Sequence, residues 1–145
     1  MEVATGEVPA PHSSSEPIPG RLRCCVVVMA TRLGLVAFGC RRIVKFVDAI
    51  YPQVPEVGTI NLALAREVSV QVARVSAFVP VRAICLEQSL ASVVLLRRIG
   101  IPAKLRLGVQ VYPFYAHAWV ECGDQPINEP PELMRALVPL SVPWE

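Results

Sequence analysis

Cys85, His117 and Glu129 are the residues of this chain whose types and order could do chemistry. They stand in CLEQSLASVVLLRRIGIPAKLRLGV, in AHAWVE and in INEP. A thiol is a poor nucleophile until it ionises, and the start of a helix favours the thiolate through unpaired backbone N–H groups and the helix dipole. An imidazole beside it forms an ion pair and later returns the proton to a leaving amine. The same N–H groups could hold the oxyanion of a tetrahedral intermediate. A carboxylate would fix the imidazole tautomer and stabilise its cation. Together the three could perform acyl-group chemistry on a peptide or amide.

Each residue also has a plainer explanation. Free cysteine is a common core residue. A histidine in a strand is often a satisfied core group. His117 is one of two histidines, and the other, His12, falls in a polar tail. Glu129 follows His117 by twelve residues, beyond Gly123-Asp124. A short hairpin there brings the two together. Asn128 could orient the imidazole through its amide instead, but neighbours on a strand point to opposite faces, so only one of the pair reaches His117. Glu121 and Asp124 are weaker candidates, better read as solvated strand and turn residues.

These residues need elements to position them. Leu86, Leu90, Val93, Val94 and Leu96 give a broad apolar face over 85–99, which predicts a central helix opening with Cys85. Arg97 and Arg98 suit its last turn, Gly100 its C′ stop, and Pro102 prevents resumption. Ser89, one turn after Cys85, either lines the same groove or caps a buried face, and the second is the preferred reading. Leu105, Leu107, Val109 and Val111 alternate with Lys104, Arg106 and Gln110, which predicts a strand over 104–111. A second strand spans 115–122. On it Tyr115, His117, Trp119 and Glu121 share one face, suited to a cleft. Ala116, Ala118, Val120 and Cys122 share the other, suited to close packing. Trp119 is expected to shield the catalytic pair from water, and otherwise to be core. A short third segment over 126–128 completes an antiparallel meander. A short helix over 132–137 and an apolar tail follow.

Ahead of this core, residues 1–20 are rich in Pro, Ser and Glu and predict a disordered tail. They do not make a signal peptide. Residues 21–50 are strongly apolar, but Arg32 cuts the run into pieces well short of the roughly 20 residues of a membrane span. One or two helices hinged near Gly34 or Gly39 are expected, with an unusually apolar face. Tyr51-Pro52-Gln53-Val54-Pro55 ends them. Thr59 is the expected N-cap of a helix over 59–77. The domain reading is a tail over 1–20 and one domain over 21–145, with an apolar helical region over 21–55 and a catalytic core over 59–145.

A chain of 145 residues suits a single domain with its own core. Hydrophobic residues make up 53% and the mean hydropathy is +0.47, which points to an apolar face covered by a partner. The net charge of +2 argues for neither nucleic acid nor an acidic ligand. Five cysteines without a CxxC pair describe neither a disulfide framework nor a thiolate zinc site, and fit the reducing cytosol. Nothing here calls for a metal or organic cofactor.

With these residues assembled, the second half resembles the leader peptidases of lasso-peptide biosynthesis, cysteine enzymes of the papain and transglutaminase-like kind. The resemblance is carried by CLEQSLASVVLLRRIGIPAKLRLGV, by PFYAHAWVE and by the following NEP, over about residues 60–130. It implies an α+β fold: N-terminal helices and a central helix bearing Cys85, packed on a small antiparallel sheet. It implies a peptidase that removes the leader of a ribosomally made precursor peptide before a separate cyclase closes the macrolactam. Cys85 would be the nucleophile, His117 the general base and acid, and Glu129 the third member, where the family often has Asp. The length implies a stand-alone peptidase that relies on a separate leader-recognition protein, with residues 21–50 as its docking surface. Acyl transfer to an amine, or a non-catalytic scaffold of the same fold, are the alternatives.

Overall fold

The computed structural model describes residues 18–56, 58–78 and 85–141. The tail expected over 1–20 therefore lies outside the described residues up to residue 17, and Val79-Pro80-Val81, which with Phe78 reads from sequence as a linker into the next helix, lies outside them too.

No proline interrupts residues 20–51, and two helices form there: α1 (Arg21–Phe38) and α2 (Cys40–Ile50). They break at Gly39, whose φ of 77° is cheap only for glycine. Gly34 has a different use. It lies inside α1, where a Cβ would come within 2.6 Å of Ile43 Cδ1, so it permits the close approach of α2. Cys24, Val28, Thr31 and Gly34 form the buried face of α1. Among the described residues no helix is long and apolar enough to cross a membrane.

The third helix, α3 (Leu62–Phe78), begins later than the sequence suggests. Its cap is Asn61 in place of Thr59: Asn61 Oδ1 accepts a hydrogen bond from the Leu64 N–H at 3.0 Å. Asparagine is at least as good a cap as threonine, and it stands directly before the first apolar repeat.

Helix α4 (Cys85–Arg98) is the centre of the domain, packed against α1, α3 and the sheet. Its residues from Ser89 to Arg97 are all buried. The C-terminal stop is a Schellman motif: Gly100 N–H bonds to Arg97 O at 3.1 Å and Ile101 N–H to Leu96 O at 3.0 Å. Gly100 supplies the required left-handed φ of 77°. Arg97 turns inward. Its guanidinium donates to Ala103 O, to Tyr51 O and to Asp48, tying the end of α4 to the end of α2.

The sheet holds β1 (Lys104–Gln110), β2 (Tyr115–Cys122), β3 (Gln125–Pro126) and, beyond a short helix α5 (Pro131–Arg135), β4 (Val138–Pro139). The order is β3-β2-β1-β4, antiparallel throughout. Gly123 and Asp124 both have positive φ, 54° and 57°, as a two-residue hairpin turn demands. The expected meander is therefore present, with one addition. The apolar tail contributes β4, which closes the outer edge of β1. A two-residue strand containing proline carries too little alternation to be read from sequence. The third strand likewise sits at 125–126, earlier than the expected 126–128, and the last helix at 131–135 in place of 132–137.

Candidate active site

Strand β2 presents two different faces. Val120 and Cys122 join the main core, and Ala118 is buried beside them in sequence. The other face carries Tyr115, His117, Trp119 and Glu121. Trp119 is buried over Gly108, where a Cβ would lie 2.9 Å from the indole Cζ3. Its Nε1–H donates to Glu121 Oε1 at 3.0 Å, and the Arg106 Nε–H donates to Glu121 Oε2 at 2.9 Å. Glu121 is thus engaged away from His117, and Asp124 is spent in the hairpin turn.

His117 is buried, and each ring nitrogen has a neighbour. Glu129 Oε1 lies 3.0 Å from Nε2, at ion-pair distance but off the N–H axis, so that Nε2 lacks an aligned hydrogen bond. Tyr115 Oη lies 3.1 Å from Nδ1, and the two rings stack at 5.6 Å with 16° between planes. Asn128 does not reach the imidazole. Its Oδ1 accepts from Val120 N–H at 2.8 Å, and its Nδ2–H donates to Ser89 Oγ at 3.2 Å. Adjacent residues just beyond β3 therefore take separate tasks: Asn128 joins β2 to α4, and Glu129 faces His117.

Cys85 is the first residue of α4 and is partly exposed. Ser89, one turn later, is fully buried and donates from Oγ to Ala118 O at 3.0 Å. That bond couples the cysteine's helix to the residue after His117. The Cys85 thiol makes no hydrogen bond to His117, whose Nδ1 is met by Tyr115. The opening turn of α4 is held from the other side as well. Arg32 Nη1 donates to both carboxylate oxygens of the buried Glu87, at 3.1 and 3.2 Å. The charge that cuts the apolar run of α1 therefore has a purpose, and its odd position in that run was the available signal.

Three cysteines outside the site, Cys24, Cys40 and Cys122, have raised thiol pKa values. Burial pushes the Cys122 thiol up to about 12, with the nearby Glu56 charge adding to it. Burial also raises Cys24, aided by Cys25, and raises Cys40. A raised pKa keeps these thiols protonated and unreactive at neutral pH. A cavity of about 130 Å³ of mixed lining lies beside the site, between Ser69, Val70, Gln88, Ile127, Asn128 and Glu129 among others.

The sequence profile of the Transglutaminase-like superfamily matches residues 25–142. The chain belongs to that superfamily. This transglutaminase-like domain is also 45% identical over 49 residues to the microcin J25-processing protein McjB of Escherichia coli. That segment is 34% of this chain and 24% of McjB, so the likeness covers less than a quarter of the relative. No solved structure matches the domain significantly. The superfamily match extends well ahead of residues 60–130 and takes in most of α1 and all of α2, so the apolar helices are part of the transglutaminase-like unit.

Proposed function

We propose that this domain is a cysteine peptidase that cuts the leader from a lasso precursor peptide, with Cys85 as nucleophile, His117 as base and acid, and Glu129 as the charge behind His117. The observation that carries the reading is the contact between the buried His117 and the half-buried Glu129, with His117 on the strand tied to the helix that starts with Cys85. The similarity to a microcin J25-processing protein supports the substrate class.

In this mechanism the Cys85 thiol gives its proton to His117. The thiolate adds to the carbonyl of the last leader residue, and backbone N–H groups of the first turn of α4 hold the oxyanion. His117 returns the proton to the leaving amine of the core peptide, and water then releases the leader from the thioester. Glu129 offsets the charge of the imidazolium. A small rotation of its side chain onto the Nε2–H axis completes the hydrogen bond, and such tightening on substrate binding is common for catalytic contacts. A separate cyclase would act on the freed core peptide.

We place the docking of a leader-recognition protein on α1. Leu22, Val26, Met29, Leu33 and Val36 recur there at alternating spacings of four and three and remain exposed. That seam suits an apolar helix of a partner. Replacing Val26 and Val36 with Asp should abolish recognition-protein binding while leaving the fold intact; unchanged binding removes this assignment.

The test of the function is mass spectrometry of a lasso precursor incubated with the domain and its recognition partner, with and without added amine. A free leader ending in a carboxylate supports the peptidase. A leader amide of the added amine, formed in place of the acid, makes the domain an acyl transferase. An intact precursor, with binding shown, favours a scaffold.

A further inference from the structure

We infer that Tyr115 is a positioning residue that holds Nδ1 of His117 in the resting protein and competes with the Cys85 thiol for it. The inference rests on the reading of Cys85 and His117 as a catalytic pair.

Glu129 and Tyr115 divide the imidazole between them. A carboxylate can only accept, so its closeness to Nε2 favours the tautomer with the proton on Nε2. Nδ1 then carries the lone pair, and the Tyr115 phenol donates to it at 3.1 Å. Nδ1 is also the basic nitrogen that must receive the thiol proton. The resting contact therefore keeps the imidazole correctly oriented while filling its reactive position. Glu121, the other charged group on this face of β2, is bound to Arg106 and Trp119 and does not enter.

Tyr115 is suited to yield. It is 43% exposed, at the first residue of β2, next to a hairpin tip whose Tyr112 and Phe114 are more exposed still. Among the described residues it stacks on His117 alone, and its hydroxyl has water as an alternative partner. When the thiol replaces the phenol at Nδ1, the proton moves from Sγ to Nδ1. Cys85 becomes a thiolate, His117 an imidazolium protonated on both nitrogens, and Tyr115 keeps its own proton. Closure of this exposed edge over a bound peptide would favour the exchange.

Tyr115→Phe separates the two tasks, because the stacked ring stays and only the hydroxyl goes. The measurement is the rate of Cys85 alkylation by iodoacetamide across pH 5–9, followed on the Cys85 peptide by mass spectrometry. Removing one competing hydrogen bond should raise the rate at neutral pH by about three- to tenfold and move the profile to lower pH. The gain should vanish in the His117→Ala background, because it acts through the imidazole. An unchanged or slower rate in Tyr115→Phe, with His117→Ala slower than wild type, overturns the role of Tyr115 and leaves the pair standing. A rate in His117→Ala equal to wild type at every pH overturns the pair, and the Tyr115 inference with it.

Discussion

Along β2, side chains that alternate in sequence are committed to different ends. Ala118, Val120 and Cys122 are apolar and fully buried, and they need no partner beyond good packing. Tyr115, His117, Trp119 and Glu121 carry polar atoms, and each of these is matched to a named group: Glu129, Arg106, or a neighbour on the same face. The first face spends its residues on stability. The second holds a buried imidazole between a phenol hydroxyl at Nδ1 and a carboxylate near Nε2. The strand thus joins a packed support to the proposed catalytic base at one-residue spacing.

Substitutions on the two faces should therefore separate activity from stability. His117→Ala should lower precursor cleavage by about 10³-fold or more while the urea midpoint moves little. A large loss of stability with cleavage per folded molecule retained would erase the distinction. Glu129→Gln should lower cleavage by roughly 10²-fold, since it keeps the shape and removes the charge that supports the imidazolium. Val120→Ala should do the reverse, costing roughly 2 kcal/mol of unfolding free energy with kcat nearly unchanged, read by urea denaturation and steady-state kinetics.

Asn128→Ala tests the join between the faces and the helix. It leaves Val120 N–H and Ser89 Oγ short of a partner and should cost about 1.5 kcal/mol. Its effect on cleavage should stay below that of Glu129→Gln; a larger effect would give Asn128 the orienting role. The smallest effect is expected from Cys122. Its thiol is held near 12 when folded against 9.0 when unfolded, so the unfolded chain loses its proton first. That stability is fully present below pH 9 and is lost as pH rises from about 9 to 12. The fall between pH 8 and 10 should be shallower in Cys122→Ala, as followed by chemical denaturation.

Much of this arrangement was legible in the chain. The period-two pattern of 115–122 separates the faces, and the apolar face of 86–96 with Gly100 and Pro102 defines the helix and its end. Those signals are local. What escaped depended on contacts between distant segments. Asn61 caps α3 although Thr59 stands close by, and β4 forms because β1 has a free edge. Alternation predicts that only one of Asn128 and Glu129 reaches His117, but both lie beyond β3, and which of them does so depends on where Val120 and Ser89 lie. Tyr115 was visible on the right face, yet its contact with Nδ1 depends on rotamers that no periodicity encodes.

The central claim is that Cys85 and His117 act together on a precursor peptide. It is tested most directly by comparing cleavage rates of wild type, Cys85→Ala and His117→Ala, each shown to be folded and bound to precursor. The account predicts cleavage by wild type alone, with both variants at least about 10³-fold slower. Cleavage by Cys85→Ala at the wild-type rate would contradict it.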